Sequence, residues 1–66
     1  MGYNRLIAEM IARKITKKDV AFLIGKSVDT VSKKINGKSD FTLNEVMAIM
    51  EKFFKGESVD YIFTKK

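Results

Sequence analysis

The chain has 66 residues, enough for one small domain, and its 45% hydrophobic and 32% charged residues are typical of a folded globular protein. It contains no Cys and no His, which excludes disulfides, thiolate or imidazole metal sites and imidazole catalysis, so we expect no cofactor, no metal and no enzymatic activity. No apolar run reaches the roughly 18 residues of a membrane span and the N-terminus lacks the layout of a signal peptide, so a cytoplasmic protein without membrane contact is expected.

The first predicted helix begins at Asn4, an N-capping residue, and ends near Lys14. Its apolar residues recur at the helical period and define one face for burial: Leu6, Ile7, Met10 and Ile11. The second predicted helix starts after Thr16, which forms a capping box with Asp19, and runs to about Ile24. Its buried stripe is predicted to comprise Val20, Ala21, Leu23 and Ile24.

A very short turn separates the second predicted helix from the third. Gly25 suits the left-handed geometry that ends a helix, and Ser27 caps the helix that follows, residues 28–35. Two helices joined by so tight a turn cannot lie antiparallel, and they cross steeply as in a helix-turn-helix. The third helix turns Val31 and Ile35 inward and leaves four side chains outward: Val28, Asp29, Ser32 and Lys33.

The fourth predicted helix follows the stop at Asn36 and Gly37 and begins after Thr42, with Glu45 completing a second capping box. On a helical wheel one arc of this helix is apolar: Leu43, Val46, Met47, Met50, Phe53 and Phe54. The other arc is polar: Asn44, Glu45, Glu51 and Lys52. The apolar arc is therefore predicted to face the core.

A short fifth helix is predicted after Ser58, and its apolar residues close over the core: Val59, Ile62 and Phe63. Lys65 and Lys66 are expected to fray. The sequence therefore predicts an all-α fold of five helices that occupies residues 1–66 as a single domain, with a helix-turn-helix at the second and third helices.

The formal net charge is +5, and the excess lies in one stretch of the chain. Residues 13–38 hold eight basic and two acidic residues, whereas the rest of the chain holds five basic and six acidic ones. One explanation is a face that meets a polyanion, and the other is a solvated surface that promotes solubility. Because the excess coincides with the predicted helix-turn-helix, it favours a DNA-binding motif over an ordinary helical hairpin.

The run ITKKDVAFLIGKSVDTVSKKINGKSDFTL, residues 15–43, resembles the Cro/repressor-type (XRE-like) helix-turn-helix domains of phages and bacteria. The positions that match the family pattern are Thr16, Ala21, Gly25, Ser27, Thr30, Val31, Ser32, Asn36, Gly37 and Lys38. The likeness continues to VDYIF, residues 59–63, and so covers nearly the whole chain. This resemblance implies a five-helix, lambda-repressor-like domain of a phage or prophage regulator that binds operator DNA, usually as a symmetric dimer.

Three departures from the family pattern bear on the structure. Lys17 stands where many relatives have a phosphate-clamping Gln, and a Lys can fill this role as a point charge. Met10 and Ile35 stand where relatives often have a buried ion pair, so these two apolar side chains are predicted to touch. Lys26 and Lys34 occupy positions that are more often apolar, and Lys34 is expected to lie along the surface with its ammonium toward solvent or DNA.

The second helix of a helix-turn-helix enters the major groove, where its N-terminal half reaches base edges. The residues predicted to contact bases are Val28, Asp29, Ser32 and Lys33. Val28 can pack on a thymine methyl group, Asp29 can accept from a cytosine amino group, and the other two can read purine acceptors. A second role is equally open for Asp29, because phosphates repel a carboxylate and the dipole of its own helix attracts it. The residues predicted to bind the phosphate backbone are Lys17, Ser27, Asn36 and Lys38.

A homodimer on DNA is expected by analogy with the family, with half-sites about one helical turn apart. Ile49 and Phe53 widen the apolar arc of the fourth helix, and exposure of Tyr61 or Phe63 would add to a self-association surface. The alternative is that the fifth helix simply covers these residues, and this alternative is favoured for Phe53.

The sequence thus predicts a small transcription regulator that binds a specific double-stranded DNA operator and takes no small-molecule ligand. Two alternatives on the same fold stay open: a protein-interaction adaptor whose basic face meets an acidic partner, and an antitoxin that also holds a toxin. Steep salt dependence together with a preference for one DNA sequence distinguishes specific DNA binding from the adaptor.

Overall fold

The computed structural model describes residues 2–64. In that range it contains the helices α1 (Asn4–Ala12), α2 (Lys17–Ile24), α3 (Val28–Ile35), α4 (Leu43–Phe53) and α5 (Val59–Ile62). The predicted all-α architecture of five helices is confirmed, and the expected fraying of Lys65 and Lys66 lies outside the described residues. Within residues 2–64, every helix is too short or too polar to span a bilayer.

Helices α2 and α3 begin and end where the local sequence predicts. The Thr16 hydroxyl accepts from the Asp19 N–H at 3.1 Å and the Asp19 carboxylate accepts from the Thr16 N–H at 2.9 Å, which completes the capping box. Gly25 lies in the left-handed region at φ 71° and ends α2, and the Ser27 hydroxyl accepts from the Thr30 N–H to begin α3. These bonds join residues only three positions apart, which is why the sequence alone reveals them.

Helix α1 begins differently from the prediction. Asn4 was expected as the N-cap, but it is the first residue inside the helix, and Tyr3 precedes it without a side-chain capping bond. The Tyr3 N–H donates instead to the Ile35 carbonyl oxygen at 2.9 Å, at the C-terminus of α3. The entry to α1 is therefore fixed by a long-range bond and not by a cap.

The end of α1 is a Schellman-type turn built on a lysine. Lys14 has φ 59°, a left-handed conformation that more often belongs to glycine. The Ile15 N–H donates to the Met10 carbonyl oxygen at 2.8 Å, and the Lys14 N–H donates to the Ile11 carbonyl oxygen at 3.2 Å. Both bonds satisfy carbonyls at the end of the helix, so the turn into α2 is held although no glycine marks it.

A single core draws on all five helices. Helix α2 packs against α3 and α4, and α5 packs against α1. The buried apolar residues are Leu6, Met10, Val20, Ala21, Val31, Ile35, Ile49, Met50, Phe54 and Ile62. Met10 and Ile35, which were predicted to touch, are both buried and line the same groove. The core thus fixes α3 against α2 with Val31 and Ile35 facing inward, as predicted.

Helix α4 is rotated about its axis by roughly 70° relative to the predicted orientation. Leu43 and Met47 were expected to face the core, yet they are 73% and 59% exposed. Glu45 was expected on the polar side, but it is buried, and Ile49 is buried completely. The rotation places Ile49 in the core, and it brings the Glu45 carboxylate to 3.1 Å from the Lys34 ammonium.

The predicted position of Lys34 is therefore wrong. Its side chain is buried between α3 and α4, and the ammonium also donates to the Asp40 carbonyl oxygen at 2.9 Å. Two smaller differences concern apolar residues that were predicted to face the core: Ile11 is 73% exposed and Val59 is 46% exposed. In each case neighbouring residues fill the core, such as Met10 beside Ile11.

Candidate nucleic-acid interface

Helices α2 and α3 form a helix-turn-helix whose second helix presents one face to solvent. Val31 is fully buried and Ala21 is nearly so, which anchors α3 on α2 from beneath. At about 100° per residue, the four residues predicted to read bases span an arc of about 140° on the opposite side of α3. These residues are Val28, Asp29, Ser32 and Lys33. The structure therefore brings them together on one accessible face.

The exposure of these side chains fits contact with an external partner. Val28 is 43% exposed, Asp29 and Lys33 are exposed, and Ser32 is half-buried. The face combines an apolar contact, a carboxylate acceptor, a hydroxyl and an ammonium donor. These are chemical groups that base edges in the major groove can discriminate.

Lys17 lies beside this face. It is the first residue of α2, and its ammonium donates to the Ser32 hydroxyl on α3 at 3.5 Å, a long contact that a stronger acceptor can replace. The side chain predicted to bind phosphate therefore borders one predicted to read bases. A cation at the rim of the predicted reading face has the position that the predicted phosphate contact requires.

Ser27 and Asp29 have roles at the start of α3 in addition to their predicted DNA contacts. The Ser27 hydroxyl accepts from the Thr30 N–H at 3.1 Å and donates to the Thr30 hydroxyl at 3.0 Å. A contact from Ser27 to phosphate requires its hydroxyl proton to turn away from Thr30. Asp29 lies in the first turn of α3, where the helix dipole stabilises a carboxylate.

The loop after α3 carries Asn36 and Lys38, both exposed. Asn36 is the C-cap of α3, and its N–H donates to the Ser32 carbonyl oxygen at 3.0 Å. The Lys38 N–H donates to the Lys33 carbonyl oxygen at 2.8 Å, and the Ser39 N–H reaches the same oxygen at 3.3 Å. The backbone of this loop is thus hydrogen-bonded to the last turn of α3, and the Lys38 side chain is exposed on it.

The exposed positive charge of residues 13–38 lies on α2, α3 and the segments that flank them. Two of the eight basic residues of the 13–38 stretch are neutralised within the fold: Lys34 by Glu45, and Arg13 by Glu9 at 3.4 Å and Glu57 at 3.1 Å. The exposed lysines of the stretch are Lys14, Lys17, Lys18, Lys26, Lys33 and Lys38. Since both predicted phosphate-binding lysines are among them, the charge excess is available to a polyanion.

The two capping carboxylates stay ionised near this surface. The Thr16 N–H that donates to Asp19 lowers the pKa of that carboxyl. Burial raises the pKa of Glu45, but the Thr42 N–H and the Lys34 ammonium outweigh burial and bring the pKa below its ordinary value. Each carboxylate is therefore held by donors of its own chain. Among residues 2–64, no three carboxylates converge to hold a metal ion.

Two features of this region escaped the sequence reasoning. Phe22 on α2 is 92% exposed, and beside it Phe53 is half-buried in a groove lined also by Leu23. Phe53 thus shares a groove with residues of α2. The second feature is the Lys34–Glu45 ion pair, whose signal in the sequence is a lysine at a usually apolar position of α3.

The comparisons with known proteins agree with this geometry. The family model for the Cro/C1-type helix-turn-helix DNA-binding domain matches residues 5–53, about three-quarters of the chain. Among curated proteins and solved structures there is no significant match. The match extends from α1 to the end of α4 and includes the whole helix-turn-helix. The chain therefore belongs to the Cro/C1-type helix-turn-helix DNA-binding domains and binds DNA as a regulator.

Proposed function

We propose that this chain is a Cro-like or repressor-like transcription regulator of phage or prophage type that binds a specific double-stranded DNA operator. Residues 1–66 act as a single domain, and α3 lies in the major groove of the operator. The observation that carries the proposal is the solvent-facing side of α3, which presents Val28, Asp29, Ser32 and Lys33 from a helix fixed to α2.

The phosphate contacts frame this reading face on two sides. Lys17 approaches from the start of α2, and Asn36 and Lys38 approach from the loop after α3. Ser27 adds a hydroxyl at the start of α3. Phosphate contacts on both sides of the recognition helix fix its register in the groove, whereas the base contacts determine the preferred sequence.

The regulator acts as a symmetric homodimer, and the surface between α4 and α5 suits a second copy. Met47 and Val59 are 59% and 46% exposed and line one shallow groove, which Glu51 and Lys55 also border. The border of the groove carries both an acidic and a basic side chain, Glu51 and Lys55, so two copies related by a two-fold axis can be complementary in charge there. Ile49, predicted as part of such a surface, is fully buried and takes no part in it.

DNA recognition is tested by fluorescence anisotropy with a selected and a scrambled duplex at two salt concentrations. The selected duplex is expected to bind at least ~1000-fold more tightly than the scrambled one. The variant Lys33→Ala is expected to relax this preference, because it removes a base contact. The variant Lys38→Ala is expected to weaken both duplexes alike and to reduce the salt slope by about 1, because it removes a phosphate contact.

Lys52→Ala is the matched control, because Lys52 is exposed on α4, outside both the helix-turn-helix and the groove proposed for the second copy. This variant should leave both affinities unchanged at the higher salt concentration, where distant charges are screened. If no duplex is preferred and all three variants behave alike, the DNA-reading proposal is wrong. A protein-interaction adaptor would then be the better explanation.

The dimer is tested separately by sedimentation equilibrium with and without the selected duplex. Two chains per duplex are expected for the wild type, and Met47→Glu should shift the stoichiometry toward one by placing a carboxylate in the apolar groove. If Met47→Glu still binds as two chains with wild-type affinity, the interface lies elsewhere.

A further inference from the structure

The Lys34 ammonium is one of two buried charged groups among the described residues. It lies 3.1 Å from Glu45 Oε1, 2.9 Å from the Asp40 carbonyl oxygen and 5.9 Å from the centroid of the Phe41 ring. The Lys34 and Glu45 side chains are only 10% and 9% exposed. Because α3 points this side chain toward α4 and not toward solvent, the ammonium does not extend to the DNA face.

Lys34 holds the loop after α3 at both ends. At the start of the loop, the Lys34 carbonyl oxygen accepts from the Gly37 N–H at 3.1 Å. At the far end, the Lys34 ammonium donates to the Asp40 carbonyl oxygen. The segment between these two bonds is residues 37–40, and it contains Lys38.

The far end of the loop is in turn fixed to the rest of the domain. Glu45 Oε1, which pairs with Lys34, also accepts from the Thr42 N–H at 2.9 Å in the capping box of α4. Phe41 packs edge-on against Tyr3 and Phe63, with ring centroids 5.4 and 5.3 Å apart. The ammonium thus ties the loop to the start of α4, beside an aromatic cluster that includes residues before α1 and after α5.

We propose that Lys34 is a positioning residue for DNA binding: by fixing residues 37–40, it pre-organises Lys38 for its phosphate contact without touching DNA itself. This inference rests on the proposed function, in which Lys38 binds the backbone. A lysine on a loose loop must lose the conformational freedom of the loop as well as its own when it binds phosphate, and this loss reduces affinity. A loop ordered before binding avoids that part of the cost.

The ion pair can be removed while the two side chains at positions 34 and 45 still fill the same buried space. In Lys34→Met/Glu45→Leu the two partners are replaced together by apolar side chains, a change that is often neutral or stabilising for a buried pair. The formal net charge stays at +5, so the long-range attraction to DNA is unchanged. This variant loses two hydrogen bonds of the loop: the Lys34 donor to the Asp40 carbonyl oxygen and the Glu45 acceptor of the Thr42 N–H. The companion variant Lys34→Met/Glu45→Gln has the same net charge and keeps an amide acceptor for Thr42, so a loss that it shares comes from the Lys34 donor.

The test is a thermodynamic cycle on DNA affinity, measured by anisotropy at a temperature where circular dichroism shows every variant to be folded. The four proteins are the wild type, Lys34→Met/Glu45→Leu, Lys38→Ala and the combination of all three changes. The ion-pair variant is expected to bind about 3- to 10-fold more weakly, and equally so for the selected and scrambled duplexes. In the Lys38→Ala background the same change should have almost no effect, because Lys34 acts through Lys38.

Hydrogen exchange gives a second readout that needs no DNA. The Lys38 and Ser39 amides, which donate to the Lys33 carbonyl oxygen, should exchange several-fold faster in the ion-pair variant, whereas amides in the middle of α2 should not. If Lys34→Met/Glu45→Leu does not fold, Lys34→Leu/Glu45→Met removes the same donor with a different shape. The same cycle and exchange measurement apply to it.

Wild-type affinity in the ion-pair variant, or a loss that persists in the Lys38→Ala background, overturns the inference. Unchanged exchange at Lys38 and Ser39 overturns it as well. One further outcome is a wild type that prefers no duplex while the ion-pair variant still shows faster exchange at Lys38 and Ser39. That combination contradicts the proposed function and leaves the ordering of the loop by Lys34 intact. The two failures are therefore distinguishable.

Discussion

Replacing Lys34 with Met is expected to destabilise the fold strongly, because it leaves the Glu45 carboxylate buried without its cation. Glu45 keeps the Thr42 N–H as a donor, so the cost should fall near the low end of the 3–5 kcal/mol that follows loss of one partner of a buried pair, about 3 kcal/mol. Protonation of Glu45 sets an upper limit of about 3.7 kcal/mol at pH 7, given an unfolded-state pKa of about 4.3. The cost expected for losing one partner of a buried pair therefore lies just below the limit set by protonation.

The assay is thermal unfolding followed by circular dichroism. For a domain of this size, about 3 kcal/mol corresponds to a melting temperature about 12–24 °C lower. The deficit relative to the wild type should shrink as pH falls toward about 4, because Glu45 then folds as the neutral acid in the variant. The double variant Lys34→Met/Glu45→Leu should recover to within about 1 kcal/mol of the wild type.

Two results would contradict the expected cost of an unpaired Glu45 carboxylate. One is a Lys34→Met variant that melts within about 3 °C of the wild type at pH 7, which would mean that solvent already screens Glu45. The other is a double variant no more stable than Lys34→Met alone. In that case the loss would arise from packing of the lysine stem and not from the unpaired charge.

Three further predictions concern stability. Lys14→Gly should raise the free energy of unfolding, measured in urea, by about 0.5–1 kcal/mol, because Lys14 has φ 59°, where glycine is less strained than lysine. A decrease would show that the turn is not strained. Phe22→Ser should change that free energy by less than about 0.5 kcal/mol, because Phe22 is 92% exposed, and a larger loss would place Phe22 in the core. The pKa values of Asp19 and Glu45 are lowered by folding, so their contribution should be complete above pH about 4.3 and lost as pH falls below it. A melting temperature that rises from pH 5 to pH 3 would contradict this sign.

The sequence predicts those features that depend on residues a few positions apart. The capping bonds at Thr16, Ser27, Thr42 and Ser58 each link a side chain to a backbone N–H three residues later, and all four are present. Gly25 adopts the left-handed conformation that its residue type favours. The same signals mark the ends of α2 and α3. The residues on the outward face of α3 could therefore be predicted together.

The errors arise where a distant contact overrides a local preference. Asn4 is a good capping residue, but the bond from Tyr3 to the Ile35 carbonyl oxygen fixes the start of α1 instead. A helical wheel groups residues by polarity and therefore places Glu45 on the solvent side of α4. Glu45 is instead buried, and its carboxylate pairs with Lys34. Both contacts join residues that are more than ten positions apart in the chain, and no local pattern reveals them.

A ¹⁵N chemical-shift map of the chain, titrated with its selected duplex, would show directly which residues meet DNA. We expect the largest shifts at the amides of residues 27–33 and 36–38 and at Lys17, because α3 and its flanking phosphate contacts meet the DNA. Smaller shifts on the α4–α5 face are expected from dimerisation. If the largest shifts lie on α1 and the amides of α3 do not move, the helix-turn-helix is not the reading element and the account is contradicted.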